Sequence, residues 1–395
     1  MEQISDIERP RRVDLGAIER ELREIRRRSG ADSDHPAVRA SLLSLVAVAA
    51  PNERDLVSDL AADVALQHPS RTILLVIDPD AATDEVAAEV SARCQLSFGM
   101  RKQVCSEQII IVASGKSAGE LHVLVSPLVT SDLPAVLWWR ASRWPEPRSF
   151  KLLAEVCTRV ILDSAILSHS VRDISLLQGL IRDLKALPVA DLAWARLTPW
   201  RAALAGLYDV PAYRPDLDRL NRIVVEYSAA RAGGGTASGQ GSASIAPGVL
   251  LLVGWLAGRL GWKPQRASGD DKAVWTIDFT GNAGDVRLTL SVQPDANHSD
   301  STPVTSILRT ELAKDGGGIQ GSSVFSIRLK EGCLETTTTI DGEQRGGRVV
   351  PCENRGEADL LREELDMLGR DMIYEEALSM AAKISDLMAK ASEAP

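Results

Sequence analysis

Three stretches of this chain hold residue types that could do chemistry. The first is GKSAG, Gly115 to Gly119, which matches G-x-S-x-G and also contains the Gly-Lys-Ser of a phosphate-binding loop. A nucleophile elbow needs a strand, a tight turn and then a helix, so that the serine stands exposed above a sheet. Here the turn leads into ELHVLV, whose alternation predicts a second strand and hence a hairpin, and neither His169 nor His298 sits where it would complete a triad. A phosphate-binding loop also needs a second glycine upstream, across a four-residue gap, and the run IIIVAS before Gly115 supplies none. The other histidines are equally bland: His35 lies in a polar stretch, His68 precedes Pro69 at a helix end, and His122 falls inside the strand-like run.

The second stretch is polar and aromatic. DLPAVLWWR ends in Arg140, and the next strand-like run, RVILDS, ends in Asp163 and Ser164. In open α/β sheets, sites assemble at the carboxyl ends of the strands, so these three could share a crevice, with structural ion pairing as the competing reading. Further on, DLAWARLTPWR places Trp194 and Trp200 around Arg196, with Arg201 closing the segment. Interleaved Trp and Arg are favoured at protein interfaces, and they also make anion or cation–π sites. Ordinary interdomain packing would use the same residues. Two adjacent tryptophans on one strand, Trp138 and Trp139, must point to opposite faces, one into the core and one toward a covering helix or a partner.

The elements that would position these residues follow from periodicity. Val13 to Arg28 and Asn52 to His68 carry apolar residues at helical spacing. Arg71 to Asp78, bounded by Pro69 and Pro79, predicts a buried strand, Ala82 to Ala92 a short helix, and Glu107 to Ser114 another strand. Pro134 to Arg140, the helix Phe150 to Cys157, the strand Arg159 to Ser164 and the helix Val171 to Leu187 continue the alternation. This predicts a mostly parallel sheet covered on both faces, a Rossmann-like three-layer α/β domain over 35–190, preceded by a helical extension over 1–34. No G-x-G-x-x-G accompanies those strands, so no dinucleotide cofactor is expected. The remainder, 191–395, predicts an α+β domain. LDRLNRIVVEYSAA is helical, Gly233 to Ser244 is a flexible loop of Gly, Ala, Ser, Thr and Gln, and strands follow at Ala273–Thr280, Asp285–Gln293, Val324–Lys330 and Cys333–Ile340. A terminal helix over Ala358 to Met388 is interrupted near Gly369.

Composition closes off several classes. The chain has 395 residues, 45 basic against 54 acidic, a net charge of -9, which argues against nonspecific nucleic-acid binding. Five scattered cysteines form no C-x-x-C and five dispersed histidines no H-E-x-x-H, so neither a metal nor a disulfide framework is expected. The charged N-terminus lacks the apolar stretch of a secretory leader. The apolar run Val249 to Ala257 is about half the length of a membrane span and predicts a buried helix. These features point to a cytoplasmic protein without membrane contact.

DLPAVLWWR, RVILDS and, above all, DLAWARLTPWR resemble the OpcA family, the glucose-6-phosphate dehydrogenase assembly proteins of cyanobacteria and actinobacteria. The resemblance runs from about Leu56 to the terminal helix, while 233–244 and the charged N-terminal extension depart from the family pattern. It implies a non-catalytic partner that promotes assembly and activity of oligomeric glucose-6-phosphate dehydrogenase, and so NADPH production in the oxidative pentose phosphate pathway. It carries over no catalytic residue. On this reading Arg140, Asp163, Ser164, Trp194, Arg196, Trp200 and Arg201 are candidate partner or anion contacts. The alternative is a sugar-phosphate-binding or sugar-phosphate-processing protein with a crevice at the carboxyl ends of the strands, centred on Arg140, Asp163, Ser164 and Arg196, in which the arginines suit the phosphate and the acid holds hydroxyls.

Overall fold

The computed structural model describes residues 15–31, 41–96, 103–130, 132–167, 171–184, 187–228, 245–269, 274–293, 307–315, 321–367 and 369–393. The Gly/Ser-rich segment 233–244 lies outside the described residues. The chain divides into two compact units. One holds Met1–Asp163, Asp183–Ala190 and Glu357–Arg370; the other holds Ser164–Arg182, Asp191–Gly356 and Asp371–Pro395.

In chain order the elements are α1 (Leu15–Ala31), β1 (Leu43–Ala49), α2 (Arg54–Val64), β2 (Ser70–Asp78), β3 (Val86–Leu96), β4 (Gln103–Ser114), α3 (Leu121–Val125), β5 (Ala135–Trp139), α4 (Pro147–Glu155), β6 (Arg159–Leu162), α5 (Ser164–Leu167), α6 (Asp173–Asp183) and β7 (Val189–Asp191). There follow α7 (Leu192–Arg196), α8 (Thr198–Leu207), α9 (Arg214–Leu217), β8 (Arg222–Ser228), α10 (Pro247–Arg259), β9 (Lys263–Gly269), β10 (Val274–Gly281), β11 (Gly284–Gln293) and β12 (Ile307–Lys314). The chain closes with β13 (Ser323–Lys330), β14 (Cys333–Ile340), β15 (Glu343–Pro351), α11 (Glu357–Asp366) and α12 (Met372–Glu393).

The first unit is built on a seven-stranded sheet of order β3-β4-β2-β1-β5-β6-β7. Strands β4, β2, β1, β5 and β6 run parallel, and β3 returns antiparallel along β4. Without β3 the order is that of a doubly wound sheet, with its reversal point between β1 and β5. Parallel strands covered by crossovers are buried on both faces. Accordingly LSLVAVA in β1 and AVLWW in β5 are buried at every position. Both tryptophans of β5 are enclosed, and Trp139 packs edge-on against Phe150 of α4, with ring centroids 5.3 Å apart.

Two local expectations fail here. ATDEVAAEVSA does not become a helix; from Val86 it is strand β3, held by antiparallel pairing with β4 along its whole length. The GKSAG turn does not close a hairpin either. It continues as a short helical turn into α3, where Leu121 and Val125 are buried one turn apart and Val123 is 60% exposed. His122 therefore lies on a helix.

The second unit is built on an eight-stranded sheet of order β15-β14-β13-β12-β8-β11-β10-β9, antiparallel except for the β8–β11 pair. Its strands alternate, as expected when one face meets the core: Ile223, Val225 and Tyr227 of β8 are buried between half-exposed neighbours. RIVVEYS is thus a strand, where the helical pattern of LDRLNRI had suggested a continued helix. The apolar run Val249–Ala257 is the buried helix α10, which packs on α12. Gly254 makes that approach feasible, because a Cβ there would lie 2.3 Å from the Ala377 carbonyl oxygen. No described helix is long and apolar enough to cross a membrane.

Candidate functional site

In a doubly wound sheet the ligand seat lies at the reversal point, beyond the carboxyl ends of β1 and β5, with an anion held at the N-terminus of the helix after β1. Here that turn reads APNER, and the short helical turn Pro51–Glu53 runs directly into α2. The Glu53 carboxylate accepts a hydrogen bond from the Ala50 N–H at 3.1 Å and another from the Ser142 N–H, just past β5, at 3.3 Å. It also accepts from Arg140 Nη1 at 3.1 Å. On its other side Arg140 Nε approaches Glu357 Oε1 at 2.7 Å, an ion pair whose angle is poor for a hydrogen bond. Arg140 is thus shared by two carboxylates, Glu53 and Glu357, beyond the carboxyl end of β5. Arg140 itself is 9% exposed.

The Gly115 turn is closed in the same way. Gly115 adopts φ +58°, and a Cβ there would meet Asp84 Oδ1 at 2.2 Å. The Lys116 N–H donates to Asp84 Oδ1 at 2.7 Å, and Ser114 Oγ donates to the Thr83 carbonyl at 2.8 Å. The one string in the chain with the letters G-x-G-x-x-G, Gly316 to Gly321, links β12 to its antiparallel neighbour β13 instead of a strand to a helix. Residues 316–320 of it lie outside the described residues. Among the described residues no group of three His, Cys, Asp or Glu side chains could hold a metal.

Asp163 and Ser164 follow β6, next to β5 in the sheet, with Leu162 in register with Trp139. Both are buried. Arg140 and Asp163 belong to the first unit and Ser164 to the second.

The Trp-rich segment is a tie inside the second unit. Asp191 caps α7 by accepting from the Ala193 N–H at 2.9 Å, and the same Oδ1 accepts from the Ser164 N–H of α5 at 2.9 Å. Its Oδ2 accepts from the Tyr374 hydroxyl of α12 at 3.2 Å. Burial, and then the negative charge of Asp191, push the Tyr374 phenol well above its ordinary range, so it stays a donor. Trp194 Nε1 donates to Asp371 Oδ2 at 2.8 Å, while Asp371 Oδ1 caps α12 through the Ile373 and Tyr374 N–H groups. Arg201 stacks over the Trp194 ring, 3.6 Å from its centroid, and donates to Thr198 Oγ1. Trp194 and Trp200 are 3% and 0% exposed, so they can serve a partner only by bracing what lies outside them. Arg196 and Arg201 are partly exposed.

Sequence reasoning missed Asp191, Asp371 and Tyr374 as the residues holding this segment. A signal existed for the two aspartates, since each stands directly before a helix in N-cap position. Nothing local identifies Tyr374 as the partner of a residue 183 positions away.

This arrangement defines a protein of two mixed helix-and-sheet units, one on a mostly parallel sheet and one on a mostly antiparallel sheet, with Glu53, Arg140 and Glu357 ion-paired in the first. A family model described as the glucose-6-phosphate dehydrogenase subunit N-terminal domain matches residues 61–179, and one described as the C-terminal domain of that subunit matches residues 187–378. The chain belongs to this OpcA family of glucose-6-phosphate dehydrogenase subunits. Among its relatives, OpcA from Nostoc punctiforme is 28% identical over 344 residues, 83% of this chain and 68% of the relative. OpcA from Synechococcus elongatus is 28% identical over 331 residues, 81% of this chain and 68% of the relative. Of solved structures, a NAD binding oxidoreductase from Klebsiella pneumoniae aligns over 90% of this chain and 98% of its own, at 11% identity and a TM-score of 0.49. A likeness that weak supports no inference about cofactor or reaction.

Proposed function

We propose that this chain is an accessory subunit that binds glucose-6-phosphate dehydrogenase and promotes its assembly and activity, without a reaction of its own. The observation that carries the reading is the pair of family matches, both described as parts of a glucose-6-phosphate dehydrogenase subunit and together spanning both units. The engagement of Glu53 with Arg140 and the turn after β1 agrees with it. We read the first unit as a Rossmann-like three-layer domain in which Glu53 stands where a cofactor phosphate would otherwise be held. The sugar-phosphate alternative loses its main cation, because Arg140 is already shared between Glu53 and Glu357.

The mechanism is linkage. A subunit that binds the assembled or active dehydrogenase more tightly than the dissociated or inactive form shifts that population by its differential affinity. Arg196 and Arg201 are the partly exposed arginines of the Trp-rich segment, and the buried Trp194 ring lies beneath the Arg201 guanidinium. The test is calorimetric titration of the purified chain into the dehydrogenase of the same genome, with glucose 6-phosphate titrated into the chain alone as control. Saturable heat with the enzyme and none with the sugar phosphate supports the reading; the reverse pattern overturns it.

A further inference from the structure

Within the second unit, helix α8 and the sheet edge β15 flank an open groove of about 320 Å³. That is at the lower end of the range for ligand pockets, and its shape is set by glycines. In the β14–β15 ladder, Gly346 lies opposite Thr338 and Arg348 opposite Thr336, so all four project toward the helix side. The helix contributes Ala203, Gly206 and Leu207 as the facing wall. A Cβ built on Gly346 would meet nothing within 4 Å, which means the groove exists because no side chain was placed there.

Three further features belong to the same place. First, β15 is an edge strand: among the described residues β14 is its only sheet neighbour, and no described strand pairs with its outer row of N–H and C=O groups, the arrangement that strand addition uses. Second, the ladder slips one residue between Thr338 and Thr339, and the extra residue is Arg345. Such a bulge re-aims a side chain at a sheet edge. Third, Arg345 and Arg348 both line the groove and are both exposed, on a chain whose net charge is -9. Arg345 pairs with Glu343 at 2.8 Å and Arg348 donates to the Gly206 carbonyl at 3.3 Å, exposed contacts that exchange readily for a better anion.

We propose that this groove and the open edge of β15 receive an extended segment of the dehydrogenase, added as a strand, with one apolar side chain in the groove and acidic residues facing Arg345 and Arg348. The backbone ladder supplies affinity, and the groove and the arginines supply selection. The inference rests on the dehydrogenase being the partner.

The experiment measures association of the wild-type chain, Gly346→Phe and the double variant Arg345→Glu/Arg348→Glu with the purified dehydrogenase of the same genome. Melting temperatures and sedimentation of each chain alone are recorded alongside. Gly346→Phe fills the groove at a position with room for a side chain, and the charge reversal touches only exposed residues. Both variants should melt as the wild type does and bind at least tenfold more weakly. Wild-type affinity in both variants overturns the groove while leaving the partner reading intact. Absence of wild-type binding refutes the partner reading itself. If the chain alone sediments as a dimer that Gly346→Phe converts to monomer, the occupant is a second copy and the proposal falls.

Discussion

Replacing Asp191 by Ala should be among the most damaging single changes in the second unit. The side chain is 1% exposed and accepts from the Ser164 N–H, the Ala193 N–H and the Tyr374 hydroxyl. Each buried donor left without a partner costs about 1–3 kcal/mol, so three such losses amount to roughly 3–9 kcal/mol. A domain of this size is stable by only about 5–15 kcal/mol. Asp191→Asn has the same shape, and its amide oxygen still serves the two N–H groups. The Tyr374 hydroxyl can then turn to accept from the amide nitrogen, which lowers the expected cost to roughly 1–2 kcal/mol. Urea denaturation followed by far-ultraviolet circular dichroism gives the loss. Hydrogen exchange at the α12 amides localises it, since the first turn of α12 carries Tyr374. If Asp191→Ala lowers stability by less than about 1 kcal/mol, or costs no more than Asn, Asp191 is not the tie described above.

Two further changes test the packing and the titration. Gly254→Ala should gain about 1 kcal/mol from helix propensity alone, yet its Cβ would lie 2.3 Å from the Ala377 carbonyl oxygen and 2.8 Å from the Ala381 nitrogen. Helices α10 and α12 must then separate, and a net loss of about 2 kcal/mol or more should appear as a lower melting temperature. Tyr374, whose phenol is held protonated by burial and by Asp191, keeps its proton in the folded chain after the unfolded chain has lost it. The unfolded state then binds fewer protons, so stability falls as pH rises past about 10, and Tyr374→Phe should flatten that decline in melts recorded across alkaline pH.

Much of the first unit can be read from the chain because its strands announce themselves. RTILLVID between two prolines and AVLWW are continuous apolar runs, as strands buried on both faces must be. The failures have physical causes. ATDEVAAEV favours helix locally, but pairing along β4 outweighs that weak preference. ELHVLV alternates like a strand over too few residues to distinguish Leu121 and Val125 on one helical face from two strand positions. RIVVEYS did carry the period-two signal, hidden by the helical spacing before it. The reversal point was half legible: Arg140 marks the end of β5, but its two carboxylate partners lie 87 and 217 positions away, counted from Glu53 and Glu357. Likewise Trp194 stands out in the sequence, yet the residues it meets, Asp371 and Tyr374, lie far downstream.

The central question is whether this chain shifts the assembly of glucose-6-phosphate dehydrogenase. The most direct measurement is a dilution series of the purified enzyme with and without a saturating amount of the chain, recording oligomer mass and the rate of NADP reduction in the same samples. Linkage predicts that the enzyme concentration at half-dissociation falls when the chain is present, and that the rate follows the mass. Unchanged mass and unchanged rate across the series would contradict it.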